Sequence, residues 1–199
     1  MREHTYLDTK EQLIRVATTL FGEQGYAVVS IDQIVAAAKV SKGTFYYYFK
    51  TKEDILYEIH VRALTSMLEW ANRIAEDKET PVDERFRDFM RAYVNELTAR
   101  QAEGRILVEN QRYLQGERWE EVRQQRKAFE MALGRLIEDG IQEGIFRASL
   151  QVRLATFQIV GAVLRIPEWY HLKGPLTPDQ IADTFSDNFM NGFCVAEGQ

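Results

Sequence analysis

The stretch VSKGTFYYYFKTKED, which runs from Val40 to Asp54, is aromatic and basic at once. Three consecutive tyrosines are unusual in a core, because each buried hydroxyl would need a hydrogen-bond partner. Three lysines accompany the tyrosines, and the first acid is Glu53. Such a segment suits an anionic partner, against which rings can pack while hydroxyls and ammonium groups donate.

The surrounding charge favours the same interpretation. The chain of 199 residues has a net charge of −5, yet residues 1–52 hold seven Lys/Arg against five Asp/Glu, a net of +2. The remainder therefore holds 18 against 25, a net of −7. A basic module on an acidic body is typical of a nucleic-acid contact confined to one end of a protein.

Apolar residues recur with helical spacing along the whole chain, and no strand alternation is evident. Ser30 and Gln33 have the spacing of a capping box, Ser41 and Thr51 can cap the next two helices, and Thr80-Pro81 indicates a cap followed by a first-turn proline. Segment 167–179 holds three of the four prolines and predicts a loop. The sequence therefore predicts an all-α fold with helices over 8–24, 31–38, 41–48, from 52 onward, from 81 onward, 103–115, 118–143, 150–166 and 178–193.

Two short helices, 31–38 and 41–48, fit a helix-turn-helix covered by the first helix. The second helix of such a unit lies in the DNA major groove. Phe45 and Phe49 share one helix face and should point into the core, whereas Tyr46 and Tyr47 should point outward. The alternative from spacing and charge alone is an aromatic patch for helix packing or dimerisation. The candidate DNA contacts are Ser30, Gln33, Ser41, Lys42, Gly43, Thr44, Tyr46, Tyr47, Tyr48, Lys50 and Lys52.

Residues 14–56 resemble the TetR family of bacterial transcriptional regulators. The likeness lies in LFGEQGY at 20–26, SIDQI at 30–34 and VSKGTFYYYFKTKEDIL at 40–56. Tyr48 stands where the family often has histidine, and Phe45 where it usually has leucine. The resemblance implies a helix-turn-helix DNA-binding domain over 1–52, with a larger effector-binding and dimerisation domain over 53–199. It implies DNA contact by Thr44, Tyr46, Tyr47 and Lys52.

The same resemblance implies a homodimer that binds a palindromic operator as a repressor and is released by a small hydrophobic effector. Family dimers usually pair their last two long helices. The candidate interface residues are Phe157, Val160, Gly161, Leu164, Phe185 and Phe189; the alternative is that they fill the core of one chain. A transcriptional activator of the same fold, or a helical module that binds protein, is the alternative function.

Effector contacts are expected among aromatic, methionine and polar residues of the body: Met67, Trp70, Met90, Tyr93, Arg105, Asn110, Arg112, Tyr113, Phe129 and Phe157. The alternative is that the apolar members are plain core. The arginines of 105–126 would suit a phosphate-rich head group, unless they pair with Glu109, Glu117, Glu120 and Glu121 on a solvated face. The part from Pro167 to Ala182 resembles the TetR subgroup that controls lipid catabolism, whose effectors are often acyl-CoA thioesters.

The sequence argues against an enzyme. It lacks a nucleophile elbow, a P-loop and a dinucleotide-binding glycine pattern, so no cofactor is expected. Glu168 and His171 form one Glu-x-x-His, but a di-iron bundle needs two with further glutamates, and no metal site is predicted. Cys194 is the single cysteine, and the longest apolar run, Ile159–Leu164, is six residues. A membrane span needs about 20, and a cytoplasmic protein is expected.

Overall fold

The computed structural model describes residues 2–194, with side chains described from Thr9 onward. The all-α prediction is confirmed, because the described residues contain one isolated β-bridge, between Phe146 and Cys194, and no strand. The helices are α1 (Arg2–Gln24), α2 (Ile31–Ala37), α3 (Lys42–Tyr48), α4 (Lys52–Glu76), α5 (Val82–Ala99), α6 (Gln101–Glu109), a 3-10 turn (Gln111–Tyr113), α7 (Gly116–Gln142), α8 (Val152–Leu164), α9 (Ile166–Trp169) and α10 (Pro178–Phe193).

Three of the four predicted helix caps form as the sequence indicates. Ser30 and Gln33 make a reciprocal capping box at α2, and the Ser41 hydroxyl accepts from the backbone N–H of Thr44 at α3. At α4, the Thr51 hydroxyl accepts from the backbone N–H of Asp54, whose carboxylate accepts from the Thr51 backbone N–H. Each cap satisfies donors that have no partner inside the helix.

The fourth predicted cap is wrong. Pro81 takes the N-cap position of α5 without a side-chain hydrogen bond, and the helix begins at Val82. The Thr80 hydroxyl instead donates to Asp77, with an oxygen–oxygen distance of 2.8 Å. The carboxylate of Asp77 also accepts from two backbone N–H groups. Thr80 therefore belongs to a local turn with Asp77 and lies one residue before the N-cap position, where its hydroxyl does not cap the helix.

Two further predictions need correction. Helix α6 ends at Glu109 instead of 115, and the buried Asn110 leads into a 3-10 turn over Gln111–Tyr113. The predicted loop 167–179 begins inside a short helix, α9, in which Ile166 and Pro167 are buried. Pro167 fits there because a proline in the first turn of a helix removes no hydrogen bond.

The chain forms two compact units. The first comprises the chain up to Ala63 together with Gln101–Arg123, and the second comprises Leu64–Arg100 with the chain from Gln124 on. Helices α4 and α7 therefore contribute residues to both units. The functional division between residues 52 and 53 stays a prediction.

The first unit contains the predicted three-helix module. Phe21, Ile34, Phe45 and Phe49 are buried in it. Helix α1 also packs on α6 at a very close approach, since a Cβ atom placed on Gly22 would lie 2.7 Å from the Cβ of Ala102. The segment 101–123 is thereby part of the same packed body as α1–α3.

The second unit is organised around α5, which packs on α8, α9 and α10. One stripe of α5 pairs with one stripe of α10 in antiparallel order: Arg87 with Asp187 at 2.6 Å, Arg91 with Asp183 at 2.9 Å, and Asn95 with Asp179 at 3.4 Å. The opposite face of α5 carries buried Phe86, Phe89 and Tyr93. No helix among the described residues is both long and apolar enough to cross a membrane.

Candidate nucleic-acid interface and effector site

Helix α3 separates its aromatic residues by face, as predicted. Phe45 and Phe49 are buried, with ring centroids 5.7 Å apart. Tyr46 is 48% exposed and Tyr47 is 70% exposed, while Tyr48 is half-buried with its ring 5.1 Å from that of Tyr47. The outward face of α3 therefore presents two phenols that the fold itself does not bury.

The glycine of α3 has no evident structural purpose inside the chain. Gly43 is exposed, and a Cβ placed on it would meet only the Ser41 hydroxyl, at an ordinary distance of 3.6 Å. Glycine costs a helix roughly 0.5–1 kcal/mol relative to alanine. A close approach by something outside the chain would explain a residue without a side chain at this position.

Four of the predicted contact residues make side-chain hydrogen bonds within the caps of α2 and α3. Ser30 and Gln33 are engaged with each other in the α2 capping box. The hydroxyls of Ser41 and Thr44 lie 2.8 Å apart at the start of α3. These caps fix where both helices begin, and a hydroxyl can still make a second bond, because it both donates and accepts.

The three predicted lysines differ in their surroundings. Lys42 pairs with Asp32 at 2.7 Å on the surface, and this hydrogen bond raises the pKa of Lys42. Lys50 is exposed. Lys52 donates to the backbone carbonyls of Tyr26 at 2.7 Å and Val29 at 2.8 Å, and its ammonium lies 4.2 Å from the centroid of the Tyr26 ring.

The contacts of Lys52 favour a positioning role. Its ammonium ties the start of α4 to the turn between α1 and α2, and burial lowers its pKa. Hydrogen bonds from a charged donor contribute about 1.5–3 kcal/mol. The DNA contact predicted for Lys52 remains a proposal. Its contacts within the chain indicate that Lys52 stabilises the turn between α1 and α2 and so affects DNA binding indirectly.

We expect Lys52→Met and Lys50→Met to weaken DNA binding in different ways. Lys52→Met should lower the free energy of unfolding by about 1–2 kcal/mol, because two carbonyls lose a charged donor. Lys50→Met should leave unfolding unchanged. It should reduce the slope of log K against log salt by about 0.9 for each phosphate that the variant no longer neutralises. Thermal unfolding and operator titrations at several salt concentrations would measure both effects; an unchanged melting temperature for Lys52→Met would contradict the positioning role.

A charged network joins the first turns of α4 and α7 within the first unit. Arg118 pairs with Asp54 and lies 3.7 Å from Glu53, which also accepts from the backbone N–H of Gln115. One turn along α4, the Tyr57 hydroxyl donates to Glu121. That hydrogen bond raises the pKa of Tyr57 to about 12. The beginning of α7 is thereby fixed to the helix that follows the DNA-binding module.

The predicted effector residues divide between the two units. Arg105, Asn110, Arg112 and Tyr113 lie in the first, where the Tyr113 ring packs 4.8 Å from that of Tyr26. Arg112 lies over the Tyr113 ring at 5.1 Å. Arg123 pairs with Glu120 on the surface, so the alternative of arginines paired with glutamates is right for that residue.

The remaining effector candidates lie in the second unit. Met67, Met90, Tyr93 and Phe129 are buried, and Trp70 is half-buried. The burial of these residues does not distinguish the two interpretations, because residues that line an effector cavity and residues of the hydrophobic core are both buried. Phe157 differs, because it is 45% exposed on α8, and this exposure favours the interface role over a position inside a cavity.

Phe129 of α7 is the centre of an aromatic cluster. Its ring centroid lies 4.9 Å from Tyr93, 5.5 Å from Phe89 and 5.6 Å from Trp70. Burial raises the pKa of Tyr93, and burial also lowers the pKa of the neighbouring Arg126. Polar groups are thus embedded in an otherwise apolar environment.

Sequence reasoning missed Gln125, which lies on α7 one turn before Phe129. Its side-chain oxygen is buried without a hydrogen-bond partner, as is the indole nitrogen of Trp70. A usable signal was present: Gln125 lies between the buried Val122 and Phe129, on the face of α7 that the helical spacing assigns to the core.

None of the six interface candidates is buried within the chain. Phe157 and Gly161 are exposed, and Val160, Leu164, Phe185 and Phe189 are half-buried. The neighbouring Leu154 is 54% exposed. Two of the six are therefore uncovered by the rest of this chain and four are partly covered, and their assignment to a dimer interface stays a prediction.

The described residues hold no group of three metal-ligating side chains. Glu168, from the single Glu-x-x-His, instead pairs with Arg165 at 2.5 Å.

Two family models match the chain. The model for bacterial regulatory proteins of the tetR family matches residues 13–59, and the model for a tetracyclin repressor-like C-terminal domain matches residues 79–193. Among curated proteins, the HTH-type transcriptional repressor KstR2 of Mycolicibacterium smegmatis is 22% identical over 194 residues, which cover 95% of this chain and 92% of that repressor.

Solved structures show the same architecture. A bacterial regulatory protein in the tetR family from Rhodococcus RHA1 aligns with a TM-score of 0.87 at 23% identity, covering 95% of this chain and 98% of the other. AibR, solved in complex with isovaleryl coenzyme A and operator DNA, aligns with a TM-score of 0.82 at 25% identity, covering 90% of this chain and 97% of AibR.

Proposed function

The chain belongs to the TetR family of bacterial transcriptional regulators, which are not enzymes, and from this premise we propose that it is a homodimeric, cytoplasmic repressor released from a palindromic operator by an acyl-CoA. The single observation that carries the DNA-binding part is the outward face of α3. Tyr46 and Tyr47 project from it, and Gly43 leaves its first turn open to close approach.

The apolar residues left uncovered on α8 and α10 support the homodimer. A palindromic operator needs two copies of α3, about 34–36 Å apart, to reach successive major grooves. A second chain that covers Phe157, Gly161 and Phe189 would remove apolar surface from water and fix that spacing. A Cβ placed on Gly161 would meet nothing within 4 Å, so the packing of this chain does not require a glycine there, and a closely approaching partner helix would explain one.

Ligand control requires two states of the dimer with different affinities for the effector. The pairing of Arg118 with Asp54 and Glu53 supports a route for this control. An effector that favours another arrangement of α7 would act on the first turn of α4 through these ion pairs, and α4 follows directly after α3. The shift is limited by the difference between the effector's affinities for the two states.

The acyl-CoA class rests on the likeness to AibR, whose complex contains isovaleryl coenzyme A, and on the aromatic cluster around Phe129. We expect acyl-CoA esters to release the protein from a palindromic operator selected from random duplexes, with a midpoint that depends on acyl length. Fluorescence anisotropy of labelled operator would measure release. Free coenzyme A is the control. If acyl-CoA esters from four to eighteen carbons all leave the anisotropy unchanged, the effector class is wrong while the DNA-binding assignment stands.

A further inference from the structure

An ion pair borders the outward face of the helix-turn-helix. The ammonium of Lys42 lies 2.7 Å from the carboxylate of Asp32, and the two side chains remain 54% and 70% exposed. Lys42 is the first residue of α3 and precedes the exposed Tyr46 by one helical turn, so the two lie on the same side of that helix. An exposed ion pair contributes little to stability, so the fold gains little from holding these charges together.

A carboxylate is an unusual group on a surface that faces DNA. Phosphates repel it, and an ionised aspartate can only accept hydrogen bonds. The donors that duplex DNA presents in the major groove are the amino groups of cytosine N4 and adenine N6. The carboxylate of Asp32 is therefore compatible with bound DNA where it meets one of these amino groups.

The ion pair has the donor and acceptor order of a base-pair edge. Lys42 presents a donor, and Asp32 presents an acceptor 2.7 Å away. In a G·C pair, guanine O6 accepts and cytosine N4 donates, and the hydrogen bond between these two atoms holds them about 2.9 Å apart. Two parallel hydrogen bonds, from the ammonium to O6 and from N4 to the carboxylate, therefore match in order and in spacing.

We propose that Asp32 and Lys42 act as one unit that recognises a G·C base pair in each half-site. The inference rests on the proposed operator binding by α3, since the N-terminal residues of a recognition helix face base edges. It makes Asp32, which sequence reasoning did not place among the DNA contacts, a specificity-determining residue. Phosphate contacts fix the register of the protein on the duplex, so the ion pair distinguishes G·C from C·G.

The four base pairs should rank in a defined order at this position. G·C is first, because Lys42 can also donate to guanine N7. T·A is second, because thymine O4 and adenine N6 keep the order of acceptor and donor while a methyl group replaces N7. C·G and A·T reverse that order and place the carboxylate against a carbonyl oxygen. Each of these two should bind about tenfold more weakly than G·C when it is placed in one half-site.

The test combines operator selection with two variants. Selection from random duplexes by wild type and variants would show where the preference changes, and anisotropy titrations of duplexes with each base pair there would measure the ranking. Asp32→Ala should reduce the preference for G·C over C·G from about tenfold to about one, because Lys42 alone can donate to a guanine on either strand. Lys42→Met should weaken the preference for guanine at the same position. Glu23→Ala removes an equal charge from an exposed residue of α1 and should leave the ranking unchanged.

Several results would overturn the inference while operator binding stands. If Asp32→Ala binds all four duplexes more tightly by one factor and steepens the salt slope by about 0.9, the carboxylate only neutralises Lys42. If Asp32→Ala keeps the wild-type ranking, Asp32 serves only the first turn of α2, where the helix dipole favours an acid. A wild-type ranking with C·G or A·T first overturns it as well. A wild-type protein that selects no operator would overturn the proposed function and this inference together.

Discussion

Replacing Phe157 by aspartate should convert the protein to a monomer and reduce its operator affinity by about 10²–10⁴-fold. The side chain is 45% exposed in the single chain, so a carboxylate there remains hydrated before association. In a dimer, the same carboxylate would lose its water against apolar residues, which is unfavourable even if Arg153, now 5.4 Å from the Phe157 ring, is buried with it. The loss of affinity follows because two linked half-site contacts become two separate ones.

Sedimentation equilibrium and operator titration would measure both parts of this prediction. Leu172→Asp is the matched control, because it places the same charge at an exposed apolar residue outside the six interface candidates. It should leave the dimer and the operator affinity intact. A Phe157→Asp protein that remains dimeric would show that the two chains meet elsewhere. A monomer that binds the operator with wild-type affinity would show that operator binding does not require a dimer.

Gly43→Ala should make the protein more stable and yet a poorer DNA binder. A methyl group fits the free protein, since its nearest neighbour would lie 3.6 Å away, and alanine stabilises a helix by roughly 0.5–1 kcal/mol relative to glycine. Against a DNA surface, the added group would cost about 1–3 kcal/mol at each half-site. Because a dimer has two such half-sites, operator affinity should fall by about 30-fold to 10⁴-fold.

A graded series strengthens this test. Gly43→Leu should reduce affinity further than alanine while the helix remains folded, and thermal unfolding of each variant would confirm that the fold is intact. Wild-type operator affinity in Gly43→Ala would mean that the first turn of α3 does not approach DNA closely.

The sequence predicted those features that depend on residues close together in the chain. The caps at Ser30, Ser41 and Thr51 each need a partner three residues away, and the burial of Phe45 and Phe49 follows from helical spacing alone. Thr80 failed as a predicted cap because the helix begins at Val82, with Pro81 at the N-cap, while Thr80 joins a turn with Asp77. Local patterns identify the candidates for a hydrogen bond, but they do not rank two candidates of similar strength.

Features that depend on distant partners could not be predicted. Lys52 was expected to be a phosphate contact, and its carbonyl partners precede it by 26 and 23 residues. Arg118 pairs with Asp54, which lies 64 residues earlier in the chain. From the sequence alone, an arginine on a solvated helix face cannot be told from one in a part-buried ion-pair network. The same limit applies to Trp70 and Phe129, whose rings meet only once α4 and α7 are packed.

The close packing of α1 against α6 at Gly22 and Ala102 matters for anyone who wishes to build chimaeric regulators. A graft that transfers only the residues before α4 would place Gly22 against a foreign helix, and any side chain larger than that of Ala102 would collide with it. The unit that a hybrid must carry is therefore discontinuous in sequence. A functional hybrid should include residues 101–123 together with the first 63 residues.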